Sequence, residues 1–510
     1  MFLIALSPIL WLAVALCVLH MQPHKACLLA LLLSVVVGIG LYDMTTIHAF
    51  QAFLEGVALA CWPILLVIIA AIFTYNLSEH TKGMDGIKKM LTSVSNDRRV
   101  LILLIGWGFG GFMEGMAGFG TAIAIPASML VGIGVNPILS ACVCLVANSV
   151  PTAYGSIGIP LVTLGNVTGT DATTLATYTC LQLAPLTILC PFIMTLVAGG
   201  SFKALKGMTI ICLGAALGFL LPELAVALTM GPELAVVAGS IGSMAAIVAC
   251  AKMFPVNDPA YAMPAHEDEE PLTAGDAIKA WLPFILIFVF LLATSKLIPA
   301  IHDPLNLIKS SVLIYDGEGG APYTFTWVAT PGVLIFLAAF IGGSKQGASF
   351  GEMLNVLKTT IVNLRFTIVT IISVIATAKV MGYAGMTPEI AEAAVAATGT
   401  AYPCIAAFIG SIGTFITGSA TSSCVLFGKL QTEAAQAIGA TPAAQAWIAA
   451  ANATGACAGK MISIQSIASA VAAIKTAGAD GKLLAFAAKV YVPFIIVMGL
   501  IVYFGQSVVG

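Results

Sequence analysis

Apolar runs of membrane-spanning length recur along the whole chain, and they constrain its fold more than any other feature. Two examples are Val57 to Tyr75 and Tyr491 to Phe504, and a helix needs about 20 apolar residues to cross the hydrocarbon core. Of the 510 residues only 9% are charged, whereas a soluble protein carries about 25%. The sequence therefore predicts an all-α, polytopic membrane protein with about 12–14 helical segments.

The remaining composition argues against several functional classes. Twelve cysteines are scattered singly, mostly within spans, which is typical of small packing residues; we expect no metal site and no cofactor. The net charge is −2 and no basic cluster is present, so no nucleic-acid partner is expected. The first apolar run, Phe2 to Leu19, lacks a positive flank and a clear cleavage site, which favours a span over a removable signal peptide.

Short loops rich in Lys and Arg mark the cytoplasmic face of a membrane protein. The connector Glu79 to Arg99 carries five such residues, whereas Leu221-Pro222-Glu223 and the segment Thr229 to Glu233 carry none. We therefore predict the first connector inside and the other two outside, with both termini outside the cytoplasmic membrane. The segment Phe254 to Gly275, with its acidic run His266 to Glu270, is interpreted as a solvated cytoplasmic connector.

A Gly-rich interruption of the apolar pattern occurs twice. The first lies within Gly106 to Gly120 and the second within Gly410 to Ser423. A second polar break follows each of them, with Asn148 placed 33 residues after Gly115 and Asn452 placed 34 residues after Gly418. Matched breaks in two halves of an apolar chain are typical of the binding site of a secondary transporter.

The spacing between the two interruptions can also be applied to the segments that flank them. It then predicts an inverted-topology repeat with broken helices or re-entrant hairpins. Shifting the Lys-rich connector by 303 residues reaches Gly382 to Tyr402, which contains Glu389 and Glu392 but no Lys or Arg. Equivalent connectors of opposite charge character should lie on opposite faces; the alternative is a coincidence between two Gly-rich tracts. The predicted units are an N-terminal span (1–25), repeat 1 (26–203), linker spans (204–327, with cytoplasmic loop 252–279 and outer loop 301–327) and repeat 2 (328–510).

Non-helical backbone survives in hydrocarbon only where protein or a wet cavity satisfies it. The helix ends at the two interruptions would therefore form an anion-binding site, although small-xxx-small helix packing also explains glycines there. Glu114 in the first interruption is a candidate proton carrier, because a mid-membrane charge costs at least about 2.5 kcal/mol; alternatively it satisfies freed N–H groups. Lys460 could meet a substrate carboxylate or pair with Glu114, and Lys379 could snorkel or have a function.

Several of these segments resemble the lactate permease family. Glu114 to Gly120 reads E-G-M-A-G-F-G and resembles the family signature E-G-x-A-G-F-G, and Thr417 to Ser423 resembles T-G-S-D-T-S-S. Ala451 to Gly455 and Gly459 to Ala468 resemble A-N-T-T-G and G-K-M-I-S-P-Q-S-I-A. The resemblance covers about residues 26 to 505. It implies uptake of L-lactate, D-lactate and glycolate with protons through a cytoplasmic membrane.

Three positions depart from the family pattern: Ala420 stands where Asp is common, Cys424 where Asn is usual and Ile464 where Pro is usual. These changes put proton coupling in question and predict a less polar pocket with room for a bulkier substrate. Glu114 is then the predicted proton-coupling residue, with sodium coupling as an alternative. The predicted substrate-binding residues are Gly115, Gly118, Asn148, Tyr154, Gly418, Ser419, Thr421, Ser422, Ser423, Asn452, Lys460, Ser463 and Gln465.

The sequence thus favours a secondary transporter of small 2-hydroxymonocarboxylates in a lipid bilayer, in which one repeat moves against the other. Two other classes are less consistent with it. A passive channel would need a continuous polar pore, whereas these breaks are localised. An enzyme would need a catalytic constellation, yet no H-E-x-x-H motif, paired His/Asp cluster or G-x-S-x-G motif occurs.

Overall fold

The computed structural model describes residues 2–118, 120–256, 258–263, 273–476 and 478–509. Phe119 of the first Gly-rich interruption and the acidic run His266 to Glu270 lie outside the described residues. The predictions that involve Phe119 and the acidic run therefore fall outside the described part of the structure.

Helices make up most of the described chain. Their bounds are α1 Phe2–Ala5, α2 Ser7–Ala13, α3 Pro23–Leu41, α4 Thr46–Leu59, α5 Leu66–His80, α6 Gly83–Thr92, α7 Arg98–Leu101, α8 Gly110–Met116, α9 Thr121–Gly132, α10 Pro137–Ala147, α11 Gly155–Thr168, α12 Ala172–Gly199, α13 Thr209–Thr229, α14 Ala235–Met253, α15 Ala274–Ala293, α16 Pro299–Asn306, α17 Pro331–Gln346, α18 Phe350–Tyr383, α19 Met386–Thr398, α20 Tyr402–Thr417, α21 Ala420–Ala437, α22 Pro442–Ile462, α23 Ile464–Ile474 and α24 Asp480–Val509.

Shorter elements join or extend these helices. The π-helical stretches are Val14–Val18, Ala60–Leu65 and Ile102–Phe109, and the 3-10 turns are Pro151–Tyr154, Phe202–Leu205, Pro259–Tyr261 and Gly399–Ala401. Strands β1 (Lys309–Val312) and β2 (Tyr323–Thr326) pair antiparallel, with Lys309 opposite Thr326. This small hairpin lies within the segment 301–327 that the sequence predicts as a long outer loop.

The helices confirm the prediction of an all-α, multi-pass membrane protein. In the described ranges, ten helices are long and apolar enough to cross a bilayer. The number rises to twelve if two bent pairs, α10 with the segment Pro151–Thr168 (62°) and α22 with α23 (44°), each count as one span. The first bend coincides with the predicted second break at Asn148. The predicted break at Asn452 is wrong, because α22 stays helical from Pro442 to Ile462 and the chain bends only at Ser463.

One predicted connector is wrong. Leu221-Pro222-Glu223 was expected to be an outer loop, but it lies inside α13, which runs unbroken from Thr209 to Thr229. Proline is tolerated in membrane helices because neighbouring groups satisfy the freed carbonyl, so Pro222 does not end the span. As a result Glu223 is buried in the protein, with 1% of its surface exposed.

Helices from the first and second halves of the chain pack on each other reciprocally. Helix α3 packs on α18 while α17 packs on α5, and α9 packs on α23 while α11 packs on α21. The long helices continue the pattern, since α12 contacts α22 and α24 contacts α10. The two connectors that the sequence pairs, 79–99 and 382–402, each contain one short helix, α6 and α19. The halves are therefore interleaved rather than side by side.

This packing produces two spatial groups of helices. The lateral group consists of α3, α4, α5, α15, α17 and α18, and the central group of α8 to α14 with α20 to α24. Within the central group the helices approach very closely: a Cβ at Gly455 would lie 1.7 Å from the Ala407 carbonyl oxygen. Helices α18 on α21 and α5 on α11 are main contacts between the groups.

A buried ion pair ties the lateral group together. The Lys379 ammonium lies 2.6 Å from Oε1 of Glu55, and the Tyr383 hydroxyl donates to the same oxygen at 2.8 Å. Glu55 is on α4 and both partners are on α18. Lys379 is therefore occupied by a carboxylate rather than extended toward the membrane surface.

Candidate substrate cavity

A cavity of about 410 Å³ lies between the lateral and central groups. The lateral side is contributed by α18, by the segment that leads from α2 into α3 and by the first turn of α3; the central side is contributed by the two Gly-rich interruptions, the second break of the first half and the junction of α22 with α23. Its lining comprises Leu16, His20, Met21, Pro23, His24, Glu114, Thr152, Gly155, Ser156, Pro160, Phe366, Thr367, Thr370, Ile371, Ile416, Thr417, Gly418, Ser419, Ala420, Thr421, Ser422, Lys460, Ile464, Gln465 and Ala468. Polar groups and apolar side chains both face this space.

The first interruption ends α8 and begins α9. Gly118 has φ +62°, and a Cβ there would lie 2.4 Å from the Ser156 hydroxyl oxygen, so both conformation and space require glycine. The Ser156 hydroxyl in turn donates to the Ala117 carbonyl at 2.7 Å. The first interruption and the second break of the same half therefore hold each other in place.

The second interruption separates α20 from α21 and presents a helix N-terminus to the cavity. Gly418 ends α20 with φ +71°, and Ser419 caps α21 by accepting a hydrogen bond from the Ser422 N–H at 3.2 Å. The first N–H groups of a helix lack intrahelical partners and carry partial positive charge. This end of α21, lined by Thr421 and Ser422, is suited to an anion.

Lys460 supplies a buried ammonium group beside that helix end. The side chain lies near the end of α22, and its Nζ donates to the Gly418 carbonyl at 2.7 Å. Only 5% of its surface is exposed. Gln465 closes the same corner, because its Oε1 lies 2.2 Å from where a Cβ at Gly418 would be. The ammonium is thus held by a neutral oxygen that a stronger acceptor could replace.

Glu114 also lines the cavity, and its carboxyl group is buried without a full set of hydrogen-bond partners. Its Oε1 lies against Gly155, 2.6 Å from where a Cβ would be, and its Oε2 has no hydrogen-bond partner. The Lys460 ammonium attracts this carboxyl group, and neither polar atom of the buried Asn148 amide has a hydrogen-bond partner in the structure. Because an ionised carboxylate is costly to bury without full pairing, this group favours a second cation or a proton.

A sequence profile of the L-lactate permease family matches residues 1–509. The chain belongs to this family. An L-lactate permease of Streptococcus iniae is 41% identical over 440 residues, which cover 86% of this chain and 92% of the relative. The glycolate permease GlcA of Escherichia coli is 32% identical over 538 residues, 98% of this chain and 94% of the relative. This permease is therefore a transporter and not an enzyme.

Among solved structures, Neisseria gonorrhoeae MtrF, described as illuminating a class of antimetabolite efflux pumps, aligns with 89% of this chain and 82% of its own. The identity is 15% and the TM-score 0.46.

Half of the fourteen site residues predicted from the sequence line the cavity of the permease. They are Glu114, Gly418, Ser419, Thr421, Ser422, Lys460 and Gln465. They come from the first interruption, the second interruption and the junction of α22 with α23. Long-range packing thus brings together positions more than 300 residues apart.

The other seven predicted residues lie behind the lining and support it. Gly115 packs against α14, Gly118 against Ser156, and Asn148 lies beside Glu114. The hydroxyls of Tyr154 and Ser423 donate to the carbonyls of Ala176 and Gly410. Asn452 accepts from Gln431, and Ser463 caps α23. Direct substrate contact by these seven residues stays a prediction.

The lateral wall was missed by sequence reasoning. His20 belongs to the turn before α3 and His24 to the first turn of α3. The His24 ring stacks on Phe366 with centroids 4.4 Å apart. Thr367 and Thr370 face the cavity from α18. Their spacing of three residues places them on one helix face, which is the only signal the sequence offered. In the described ranges, no three His, Cys, Asp or Glu side chains cluster so as to hold a metal ion.

Proposed function

We propose that this permease transports small 2-hydroxymonocarboxylates, such as lactate and glycolate, together with protons. The observation that carries the proposal is the buried Lys460 ammonium at the N-terminus of α21, facing a cavity that also contains Glu114. The names of the relatives, L-lactate permease and glycolate permease, point to the same substrate class. The Lys- and Arg-rich loops support a cytoplasmic membrane location with both termini outside.

In the proposed complex, the substrate carboxylate replaces the Gly418 carbonyl as the partner of Lys460. A hydrogen bond to a charged group contributes about 1.5–3 kcal/mol, more than the neutral contact that it displaces. The free N–H groups of α21 lie next to the same position. Thr421, Ser422 and Gln465 are then available for the substrate hydroxyl and the second carboxylate oxygen.

Charge balance in the cavity gives a physical reason for proton coupling. Without substrate, the Lys460 ammonium and the Glu114 carboxylate offset each other. Adding a substrate anion leaves one unpaired negative charge, and two like charges about 5 Å apart repel by about 3 kcal/mol at an effective dielectric constant of about 20. Protonation of Glu114 removes that charge, so the anion and the proton bind more favourably together than either does alone.

The proposed transport cycle rests on the inverted repeat but divides the molecule differently from the sequence-based hypothesis. Motion of one repeat against the other would separate α3 from α18 and α5 from α17, which pack closely. Motion of the central group against the lateral group leaves both pairs intact. Because the cavity lies between these groups, their relative movement would open it to alternate faces of the membrane.

Proteoliposomes containing purified protein test this function. The wild-type protein should accumulate labelled lactate when a proton gradient is imposed, and a sodium gradient should have no effect. Glu114→Gln should abolish accumulation but retain slower lactate counterflow, because the amide is neutral like the protonated acid. Lys460→Gln should lose both activities, whereas Lys482→Gln, at an exposed position, should behave as wild type.

Three results would contradict the proposal. Accumulation driven by sodium alone would reassign the coupling ion. Unchanged proton-driven accumulation in Glu114→Gln would remove this residue from the coupling mechanism. An absence of counterflow in the wild-type protein, with lactate equilibrating passively, would favour a channel.

A further inference from the structure

The two sides of the cavity differ in charge. Glu114 and Lys460 both lie on the central side, whereas the described residues that line the lateral side include no Asp, Glu, Lys or Arg. The apolar residues of the lateral side are Leu16, Met21, Pro23, Phe366 and Ile371. A molecule that spans the cavity therefore meets an ammonium group and a helix N-terminus at one end and an apolar surface at the other.

The polar groups of the lateral side are partly engaged within the protein. The Thr370 hydroxyl donates to the Phe366 carbonyl at 2.8 Å, so its proton is already used inside α18. The His24 ring stacks on the Phe366 ring, and aromatic rings offer a large apolar contact area. Met21 adds a flexible thioether, which adapts to apolar ligands of different shapes. This side is suited to hydrocarbon rather than to a second charged group.

The cavity is larger than lactate requires. Lactate has six non-hydrogen atoms and occupies at most roughly 180 Å³, even at about 30 Å³ for each atom, the volume of a water molecule in the liquid. The cavity has a volume of about 410 Å³. With the lactate carboxylate at Lys460, more than half of this volume remains, and it adjoins the lateral side. Hydrocarbon that replaces water at this apolar surface strengthens binding.

We propose that the substrates of this permease include 2-hydroxymonocarboxylates with a longer apolar side chain than lactate, such as 2-hydroxypentanoate. The proposal rests on the proposed function, because Lys460 and the N-terminus of α21 hold the carboxylate in both. The hydroxyl group takes the position of the lactate hydroxyl. The hydrocarbon chain extends to the lateral side, where it contacts Phe366 and Ile371.

Competition for lactate counterflow in proteoliposomes tests the proposal with the wild-type protein. Each methylene group that leaves water strengthens binding by about fourfold. The inhibition constant should therefore fall from lactate to 2-hydroxybutanoate and on to 2-hydroxypentanoate, by roughly tenfold in all. Liposomes loaded with unlabelled 2-hydroxypentanoate should also drive the uptake of labelled lactate, because a transported substrate exchanges across the membrane.

A dicarboxylate separates an apolar surface from mere space. 2-Hydroxyglutarate has the five-carbon chain of 2-hydroxypentanoate but carries a second carboxylate, which would lose its hydration at the lateral side without a matching cation. It should compete at least about tenfold less well than 2-hydroxypentanoate. The opposite result would mean that His20 and His24 hold a second carboxylate.

A matched pair of variants locates the contact. Phe366→Ala should reduce the preference for 2-hydroxypentanoate over lactate by roughly threefold or more, because the chain loses apolar contact. Phe408→Ala, at an exposed position of α20 outside the cavity lining, should keep the preference of the wild-type protein. The preference compares two ligands on the same variant, so a lower amount of folded protein does not alter it.

The possible results distinguish this proposal from the proposed function. Inhibition constants that stay level or rise with chain length refute it, as does equal competition by 2-hydroxyglutarate and 2-hydroxypentanoate. Competition by 2-hydroxypentanoate without exchange for lactate would make it an inhibitor and refute its role as a substrate. All three results leave lactate transport intact. If the wild-type protein neither accumulates nor exchanges lactate, the proposed function fails and this proposal fails with it.

Discussion

At the residue scale, Ala420 and Ile464 both line the cavity and depart from the family pattern that the sequence resembles, and Ala420 is the one that replaces a charge. It is the first residue of α21, lines the cavity and occupies the position where the family signature has Asp. A methyl group there leaves the helix N-terminus and Lys460 as the positive features that face the substrate. The carboxyl chemistry of the cavity then falls to Glu114.

Ala420→Asp should make lactate uptake more steeply dependent on pH. An ionised Asp next to a bound carboxylate would repel it by about 3 kcal/mol if the charges are about 5 Å apart, which corresponds to more than a hundredfold in affinity. Lactate affinity should therefore fall at alkaline pH and recover when Asp is protonated. The measurement is the apparent KM for uptake at several pH values.

Ala420→Asn is the matched control, because it has the same shape without the charge. Its pH profile should follow that of the wild-type protein. Identical profiles for the Asp and Asn variants would mean that residue 420 does not contact the substrate carboxylate.

At the scale of elements, close helix contacts place the polar groups. Helices α20 and α22 approach so closely at Gly455 that a Cβ would overlap the Ala407 carbonyl oxygen. That contact aligns the end of α20, where Gly418 lies, with the end of α22, where Lys460 lies. The hydrogen bond between Lys460 and Gly418 depends on this alignment.

Gly455→Ala should destabilise the permease and reduce transport. The obstructing atom is backbone, so relief requires a helix shift, and overpacking of this kind costs about 1–3 kcal/mol or more. Gly351→Ala, in an exposed helical position with no atom within 4 Å of the new Cβ, should be neutral or stabilising by about 0.5–1 kcal/mol. Thermal unfolding of the detergent-solubilised variants measures both; equal midpoints would show that α20 and α22 pack less closely than described.

At the scale of the whole molecule, transport by relative motion of the two helix groups can be blocked by a covalent link between them. Helices α18 and α21 meet where a Cβ at Gly382 would lie 3.7 Å from the Lys429 side chain. In a cysteine-free background, Gly382→Cys with Lys429→Cys should lose uptake when joined by a short reducible crosslinker and regain it on reduction. The single variants, treated alike, should remain active; full uptake by the crosslinked protein would exclude this motion.

The sequence predicts the membrane helices and several residues of the site, but it does not predict which polar side chains face the cavity and which are buried behind it. The breaks at Gly118 and Gly418, the Lys460 ammonium and Gln465 were predictable, because glycines, charges and amides inside apolar runs have few structural roles. Glu223 was missed because Leu-Pro-Glu has the composition of a loop, whereas a membrane helix accommodates proline. Tyr154, Ser423 and Asn452 were placed at the site, yet the two hydroxyls and the Asn452 side-chain oxygen bond within the protein core. A single sequence does not specify which side of a helix faces a cavity built from distant segments.

The reciprocal packing has a consequence for the biosynthesis of the permease. Helix α3 ends at Leu41 and its partner α18 begins at Phe350, about 310 residues later, so at 5–20 residues per second the ribosome needs roughly 15–60 s to supply the partner. Glu55 is likewise synthesised 324 residues before its partner Lys379. During that interval α3, α4 and α5 must reside in the bilayer with lipid around them in place of their protein partners. A chain whose synthesis stops before α17 would lack α17 and α18, and we expect membrane quality control to remove the resulting acidic fragment.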